Sequence, residues 1–159
     1  MEEVGYLTVT VDLAGKGFNP KKLTGEFDHK CYIRQGLGEI KKYGRGRGKE
    51  ISEEGHCSFE FGESVDFSLR VKKAVELYLK IKDLNKKVCL NIDWFYFRLL
   101  FTGCQGNMEL TPEELSDLSK VEEGIAMTYI GATDFDYSKQ RRLQRLKRKL
   151  SVTLNQQDS

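Results

Sequence analysis

Long apolar runs are missing from this sequence. Nowhere do 18 apolar residues follow one another, whereas a helix that crosses a bilayer needs about 20. The chain begins Met1-Glu2-Glu3, without the basic stretch and apolar segment that a secretory signal peptide requires. We therefore expect a cytoplasmic protein that does not insert into a membrane.

Closely spaced cysteine pairs are also missing. The four cysteines are Cys31, Cys57, Cys89 and Cys104, and no Cys-x-x-Cys pair occurs, so reduced thiols are expected. Two His/Cys pairs, His29 with Cys31 and His56 with Cys57, could supply four zinc ligands. Their spacing is not that of a zinc knuckle, and adjacent residues on a strand point to opposite faces. We predict neither a metal nor a cofactor, and expect buried structural cysteines, Cys89 above all because it lies in an apolar run.

Catalytic motifs are the third absence. Gly44-Arg45-Gly46-Arg47-Gly48-Lys49 resembles a phosphate-binding loop, but Glu50 follows the lysine where that motif needs Ser or Thr, and the glycine spacing differs. A flexible basic loop is the favoured interpretation, with Arg45, Arg47 and Lys49 able to contact phosphates or carboxylates of a partner. Four carboxylates lie in or beside predicted elements, without the His or Ser spacing of a catalytic triad: Asp12, Glu60, Asp66 and Asp93. We predict that the protein is not an enzyme.

Large side chains are plentiful. Nine Phe, seven Tyr and one Trp among 159 residues can fill the core of one domain of ordinary size. Composition changes abruptly at Tyr137, after which seven Lys or Arg occur before Leu150 without an acid. We predict a single α+β domain over residues 1–136 and a basic helical tail over residues 137–159.

Hydrophobic periodicity predicts the order of the elements. Alternating stretches indicate strands, and 3.6-residue periodicity indicates helices. The predicted order is a strand over 4–13, a helix over 20–27, strands over 29–34 and 56–61, a long helix from Asp66, a strand over 87–101, a helix from Thr111 and a strand over 124–130; a short strand over 39–43 is an addition. This order favours a mainly antiparallel sheet with helices packed on one face.

Two helix starts carry strong local signals. Asn19 precedes Pro20, which is typical of an N-cap with proline at the first helical position. Thr111-Pro112-Glu113-Glu114 has the spacing of a capping box. The run 87–101 becomes continuously apolar, and we expect it to be a central strand buried on both faces. Its aromatic cluster, Trp94-Phe95-Tyr96-Phe97, is then core and not a stacking platform for bases.

Charge is distributed in blocks, although the net charge is only +2. Residues 1–136 hold 19 bases and 23 acids, and residues 101–136 alone hold eight acids and one base. The acidic surface predicted to bind a partner comprises Glu109, Glu113, Glu114, Asp117, Glu122 and Glu123. The basic tail contributes Arg141, Arg142, Arg145 and Arg148. This tail can bind nucleic acid, dock on an acidic surface of the chain or a partner, or stay solvated; membrane binding is disfavoured because the tail helix has no aromatic anchor.

Three motifs together resemble a known family. They are Phe18-Asn19-Pro20-Lys21-Lys22-Leu23-Thr24, Leu110-Thr111-Pro112-Glu113-Glu114-Leu115, and a last strand ending near Tyr129. Over residues 4–131 their order is similar to that of an uncharacterised bacterial domain-of-unknown-function family of small single-domain proteins. Asn19 stands where that family usually has Asp, and its Trp near residues 57–59 is absent. The tail lies outside the resemblance.

The resemblance implies a binding protein, because such proteins are similar in size and style to immunity proteins, which block one cognate bacterial toxin. The expected function is therefore a non-enzymatic protein-binding domain, an immunity-type inhibitor whose acidic surface occludes a basic groove of the toxin. The alternative is a nucleic-acid-binding accessory protein that uses the basic loop and the tail.

Overall fold

The computed structural model describes residues 6–62, 67–103 and 110–131. Its strands are β1 (Tyr6–Lys16), β2 (Cys31–Gln35), β3 (Glu54–Phe61), β4 (Trp94–Gly103) and β5 (Ile125–Gly131). Its helices are a 3-10 helix (Pro20–Leu23), α1 (Phe67–Val88) and α2 (Pro112–Leu118). The five strands form one sheet in the order β2-β3-β1-β4-β5. The predicted α+β class is confirmed.

The sheet is mixed, so the prediction of a mainly antiparallel sheet is wrong. Strands β2 and β1 both pair with β3 in antiparallel fashion. Neighbours β4 and β5 are joined through helix α2 and not by a hairpin. A helical connection, unlike a hairpin, can return the chain so that neighbouring strands run in the same direction. The predicted C-terminal basic helix lies outside the described residues.

Contacts divide the chain into two units. One comprises Leu7–Leu100 and Met108–Thr128, and it contains all of the core residues that the structure describes. The other comprises Met1–Tyr6, Phe101–Asn107 and Tyr129–Ser159, and its described part is limited to ends of β1, β4 and β5. The predicted boundary at residue 136 stays a prediction, because it falls outside the described residues.

Helix α1 covers one face of the sheet. Its buried side chains recur at helical spacing: Val71, Ala74, Val75, Leu77, Tyr78 and Ile81. The Tyr78 ring meets the rings of Phe95 and Phe97 edge-on, with centroids 5.8 and 6.4 Å apart. These contacts place the core between α1 and the sheet. No helix in the described ranges is long and apolar enough to cross a membrane.

Both predicted helix caps are confirmed. The Asn19 side chain accepts a hydrogen bond from the Lys21 amide, although the helix that follows is a short 3-10 helix and not the predicted 20–27 helix. Thr111 and Glu114 form the complete capping box of α2. In the segment 39–43, the structure has only an isolated bridge between Ile40 and Ile51.

The strand predicted over 87–101 begins later, at Trp94, because α1 continues to Val88. The chain then turns through Cys89 and Asn91, whose φ angles are 52° and 61°. Cys89 is exposed, so the prediction that it is a buried structural cysteine is wrong. The left-handed turn interrupts the apolar run and directs this side chain to solvent.

Candidate functional site

The two faces of the sheet differ in composition. On one side, the core face, odd-numbered residues of β1, β3 and β4 are buried: Val9, Val11, Leu13, Cys57, Phe59, Phe95, Phe97 and Leu99. The opposite side is the polar face, which we define by Thr10, Asp12, Ala14, Tyr32, Arg34, His56, Ser58, Glu60, Trp94, Tyr96 and Arg98. Alternation along each strand separates the two sets.

Strand register assembles the polar face from residues far apart in sequence. Tyr32 lies opposite Ser58, which in turn lies opposite Asp12 on β1. In the next row Gln35 lies opposite His56, and His56 lies opposite Ala14. The small side chains of Asp12, Ala14 and Ser58 therefore lie on the two central strands of the face, with larger residues of β2 and β4 on either side.

Two arginines lie across this centre from opposite sides. Arg98 donates from Nη2 to Oδ2 of Asp12 at 2.8 Å and from Nε to Oγ1 of Thr10 at 3.4 Å. Arg34 donates from Nε to Oγ of Ser58 at 3.0 Å and from Nη2 to Oε1 of Glu60 at 2.6 Å. These contacts leave Asp12 and Ser58 only 6% and 1% exposed. Because an arginine neutralises each carboxylate, the arrangement suits recognition better than proton transfer.

Aromatic rings border the arginine of β4. Trp94 stacks on Tyr96 with centroids 5.1 Å apart and planes 7° from parallel, and the Arg98 guanidinium lies 5.8 Å from the Tyr96 ring. Trp94 remains 48% exposed.

The aromatic run of β4 was expected to be core throughout, and that prediction is correct only for Phe95 and Phe97. Trp94 and Tyr96 belong to the polar face. The alternation from Trp94 to Arg98 could have distinguished core residues from residues of the polar face. It was overlooked because almost every residue of the run is apolar or aromatic.

His56 is a half-buried imidazole on β3, at one end of the polar face. Burial lowers its pKa, and the charges of Arg34 and Arg98 lower it further, against the opposing effect of Asp12. Its Nε2 atom is buried and has no hydrogen-bond partner among the described residues. Buried polar atoms usually have a partner, so this nitrogen is an exception among the buried polar atoms of the described residues.

A hairpin over residues 38–52 adjoins this end of the face. Backbone hydrogen bonds join Lys41 N to Glu50 O at 2.8 Å and Ser52 N to Glu39 O at 2.8 Å. Between the face and the hairpin lies a cavity of about 310 Å³, lined among others by Ala14, Gln35, Tyr43, Arg45, Ser52 and His56. The polar face therefore continues into a pocket.

The predicted basic loop forms the tip of this hairpin. Its glycines Gly44, Gly46 and Gly48 have positive φ angles of 71°, 82° and 73°, a conformation that glycine adopts without steric cost. Arg45, Arg47 and Lys49 are exposed and form no ion pair within the described ranges. Only Arg45 of these three lines the cavity. The tail residues Arg141, Arg142, Arg145 and Arg148 lie outside the described residues.

Most acids of the predicted acidic surface form hydrogen bonds or ion pairs with other residues of the chain. Glu114 is 3% exposed and accepts hydrogen bonds from the Thr111 amide and from Ser68 Oγ at 2.9 and 2.6 Å. Asp117 pairs with Lys120 at 2.7 Å. Glu113 is exposed and has no ion pair in the described part of the chain. Glu109 lies outside the described residues.

The last two acids of this surface bind helix α1. Lys82 Nζ lies 2.6 Å from carboxylate oxygens of both Glu122 and Glu123, and Tyr78 donates its hydroxyl to Glu123. The hydrogen bond from Lys82 lowers the pKa of Glu122. Burial alone would raise the pKa of Glu123, but hydrogen bonds from Lys82 and Tyr78 lower it overall. These carboxylates therefore connect the segment after α2 to α1.

The four residues considered for zinc are distributed over both faces. Cys57 is buried on the core face beside Cys31, and a hydrogen bond with Cys31 together with burial raises the pKa of Cys57. His56 belongs to the polar face, and the His29 ring packs 4.8 Å from the Phe61 ring. Among the described residues, no group of three His, Cys, Asp or Glu could hold a metal ion.

Comparisons with known proteins give no relative from which a function could be taken. The resemblance to the domain-of-unknown-function family therefore stays a prediction that rests on its three motifs. No family model, curated protein or solved structure matches the chain.

Proposed function

We propose that this protein is a non-enzymatic protein-binding domain, and that the polar face is its binding surface. The observation that carries this proposal is the half-exposed Trp94, stacked on Tyr96 beside Arg98. Trp, Tyr and Arg are the residues most enriched where binding energy is concentrated in protein–protein interfaces. Here all three lie together on strand β4.

The charge balance of this face favours a protein over a nucleic acid. Arg98 pairs with Asp12, and Arg34 pairs with Glu60, so the face lacks the excess of positive charge that phosphate binding needs. Each guanidinium uses only Nε and Nη2 in its described hydrogen bonds. The remaining N–H groups can donate to backbone carbonyls or carboxylates of a partner.

The partner class that we favour is a bacterial toxin, which an immunity-type inhibitor would occlude. This part of the proposal rests on the motif resemblance. The contact surface differs from the acidic surface expected at first, because Glu114, Asp117, Glu122 and Glu123 already bind other residues of the chain. The free thiols of Cys31, Cys57 and Cys89 are compatible with the cytoplasmic location that we propose.

Affinity capture from native cells, followed by binding measurements on the purified pair, tests this proposal. The decisive variant is Trp94→Ala, and Leu115→Ala is its matched control, because Leu115 is 53% exposed on α2. We expect the same protein to be captured by the wild type and by Leu115→Ala. For the purified pair, Trp94→Ala should weaken binding by about 30-fold or more, as for a residue at the centre of an interface.

A second variant separates the two candidate surfaces. Glu113→Lys combined with Glu122→Lys reverses the two most accessible described acids of the segment. Binding that survives this change but not Trp94→Ala supports the polar face. The proposal is contradicted if charge reversal abolishes binding while Trp94→Ala retains it, or if the captured ligand is DNA or RNA that dissociates with salt.

A further inference from the structure

We propose that the cavity between the hairpin and the polar face binds an oxyanion, a carboxylate or a phosphate group, with Arg45 as its cationic contact. This site goes beyond the proposed protein-binding function, and nothing in the argument for it depends on Trp94. The evidence is the cavity itself, an arginine without an ion pair and polar groups without partners around it.

Arg45 is the unpaired cation of the cavity lining. The charged lining residues are the cations Lys41 and Arg45 and the acid Glu54. Lys41 already binds Glu50, with Nζ 2.6 Å from Oε2, whereas Arg45 forms no ion pair among the described residues. A guanidinium presents parallel N–H donors that match the two oxygens of a carboxylate or phosphate. A lysine at this place would provide only a point charge.

Backbone amides of the same loop are also free. The amides of Gly44, Arg45 and Gly46 donate no hydrogen bond within the described ranges, whereas those of Arg47, Gly48 and Lys49 donate to loop carbonyls. Positive φ angles at Gly44 and Gly46 flank Arg45. Alternation of positive and negative φ can bring successive N–H groups to one concave side, as in anion-binding backbone nests, and of these three residues Arg45 lines the cavity.

The cavity lining also includes two polar ring side chains. His56 is one of them, but its unpartnered Nε2 is itself buried, so the imidazole forms part of the wall and is not counted as a donor. Tyr43, which is 60% exposed, adds a phenolic hydroxyl to the lining.

The cavity is large enough for more than an isolated ion, and the hydrogen bonds of Gln35 support the hairpin that forms one of its walls. Its volume of about 310 Å³ is at the lower end of small-molecule sites. The buried Gln35 connects β2 to the hairpin. Its Oε1 accepts a hydrogen bond from Lys42 N at 2.8 Å, and its Nε2 donates to Gly36 O at 3.0 Å. A site formed before the ligand arrives loses little entropy on binding.

Titration of the purified full chain, followed by two-dimensional amide NMR, tests the site. The probes are sodium phosphate and sodium acetate, with sodium chloride at equal ionic strength as the reference. We expect saturable shifts centred on Gly44, Arg45, Gly46 and His56. Saturation by phosphate alone identifies a phosphate site, saturation by acetate alone a carboxylate site, and saturation by both a general oxyanion site.

Two arginines of the same loop provide the matched variants. Arg45→Gln should weaken oxyanion binding by about tenfold or more, whereas Arg47→Gln should leave it within about twofold, because an exposed charge outside the cavity is screened by solvent. Trp94→Ala should also retain binding, which separates this test from that of the proposed function. Absence of saturable shifts, or equal weakening by the two arginine variants, would overturn the proposal.

Discussion

Both faces of the sheet contain side chains that are almost inaccessible to solvent, but different groups cover them on each face. On the core face, helix α1 covers side chains such as Val11 and Phe97. On the polar face, Asp12 and Ser58 are nearly as inaccessible, but the side chains that cover them are Arg98 and Arg34. A face closed by a helix contributes mainly to stability. A face closed by half-exposed arginines and aromatics has hydrogen-bond donors and ring surface available to a partner.

Truncation in the core face should have the largest effect on stability. Phe97 is 1% exposed and packs edge-on against Tyr78. Phe97→Ala is expected to lower the free energy of unfolding by about 3–5 kcal/mol, because it removes buried apolar contacts and leaves a cavity. Urea denaturation measures the change. A loss below about 1 kcal/mol would show that this face is not the packed core described here.

The paired arginines of the polar face allow a graded comparison. Asp12→Ala leaves Arg98 without its carboxylate at a site where Asp12 is 6% exposed, and should cost about 1–3 kcal/mol. Glu60→Ala breaks the more open pair with Arg34, whose side chains are 39% and 42% exposed, and should cost about 1 kcal/mol or less. Equal losses in urea denaturation would mean that the centre of the polar face is no more buried than its margin.

Acid should weaken the ion pairs at the border of the core face, which we define by Lys82 of α1 and its partners Glu122 and Glu123. Glu123 has a pKa below its usual 4.5 in the folded protein, where hydrogen bonds outweigh burial. Its contribution is therefore present above about pH 4.5 and is lost as the pH falls through the lowered pKa.

For Glu123 this loss should amount to about 1 kcal/mol or less, since its side chain is partly solvated. Unfolding free energies measured at about pH 6 and about pH 3 give the difference for the wild type and for Lys82→Met. The variant should show a smaller fall, because the pKa of Glu123 no longer depends on an ion pair. An equal fall in both proteins would contradict this account of the border.

Local signals in the sequence predicted much of the fold. The alternation from Val9 to Leu13 placed the apolar residues of β1 on one face, and the capping box at Thr111 located the start of α2. Both depend on neighbours within a few residues, so no tertiary information is needed. The predicted start of β4 was wrong because the apolar run begins within α1 and continues through Cys89. Only the left-handed turn at Cys89 and Asn91 separates the helix from the strand.

The candidate site was mostly beyond sequence reasoning. Gln35, His56 and Ala14 form one row of the sheet only through the register of three strands, which no local pattern specifies. The contacts of the acidic segment were beyond the sequence for a related reason. Total charge was visible in the sequence, but the hydrogen bond from Ser68 to Glu114 and the ion pair between Lys82 and Glu123 depend on tertiary packing. Arg45 was identified correctly as a cation of the basic loop, whereas its place in a cavity depends on the hairpin.

The affinity of the purified partner for three versions of the chain tests the central claim most directly. The versions are the wild type, Trp94→Ala, and the double variant Glu113→Lys/Glu122→Lys, each checked by its thermal unfolding curve. The account predicts that Trp94→Ala weakens binding by about 30-fold or more and that the double variant binds within about threefold of the wild type. Loss of affinity in the double variant, with wild-type affinity in Trp94→Ala, would contradict it and assign binding to the acidic segment.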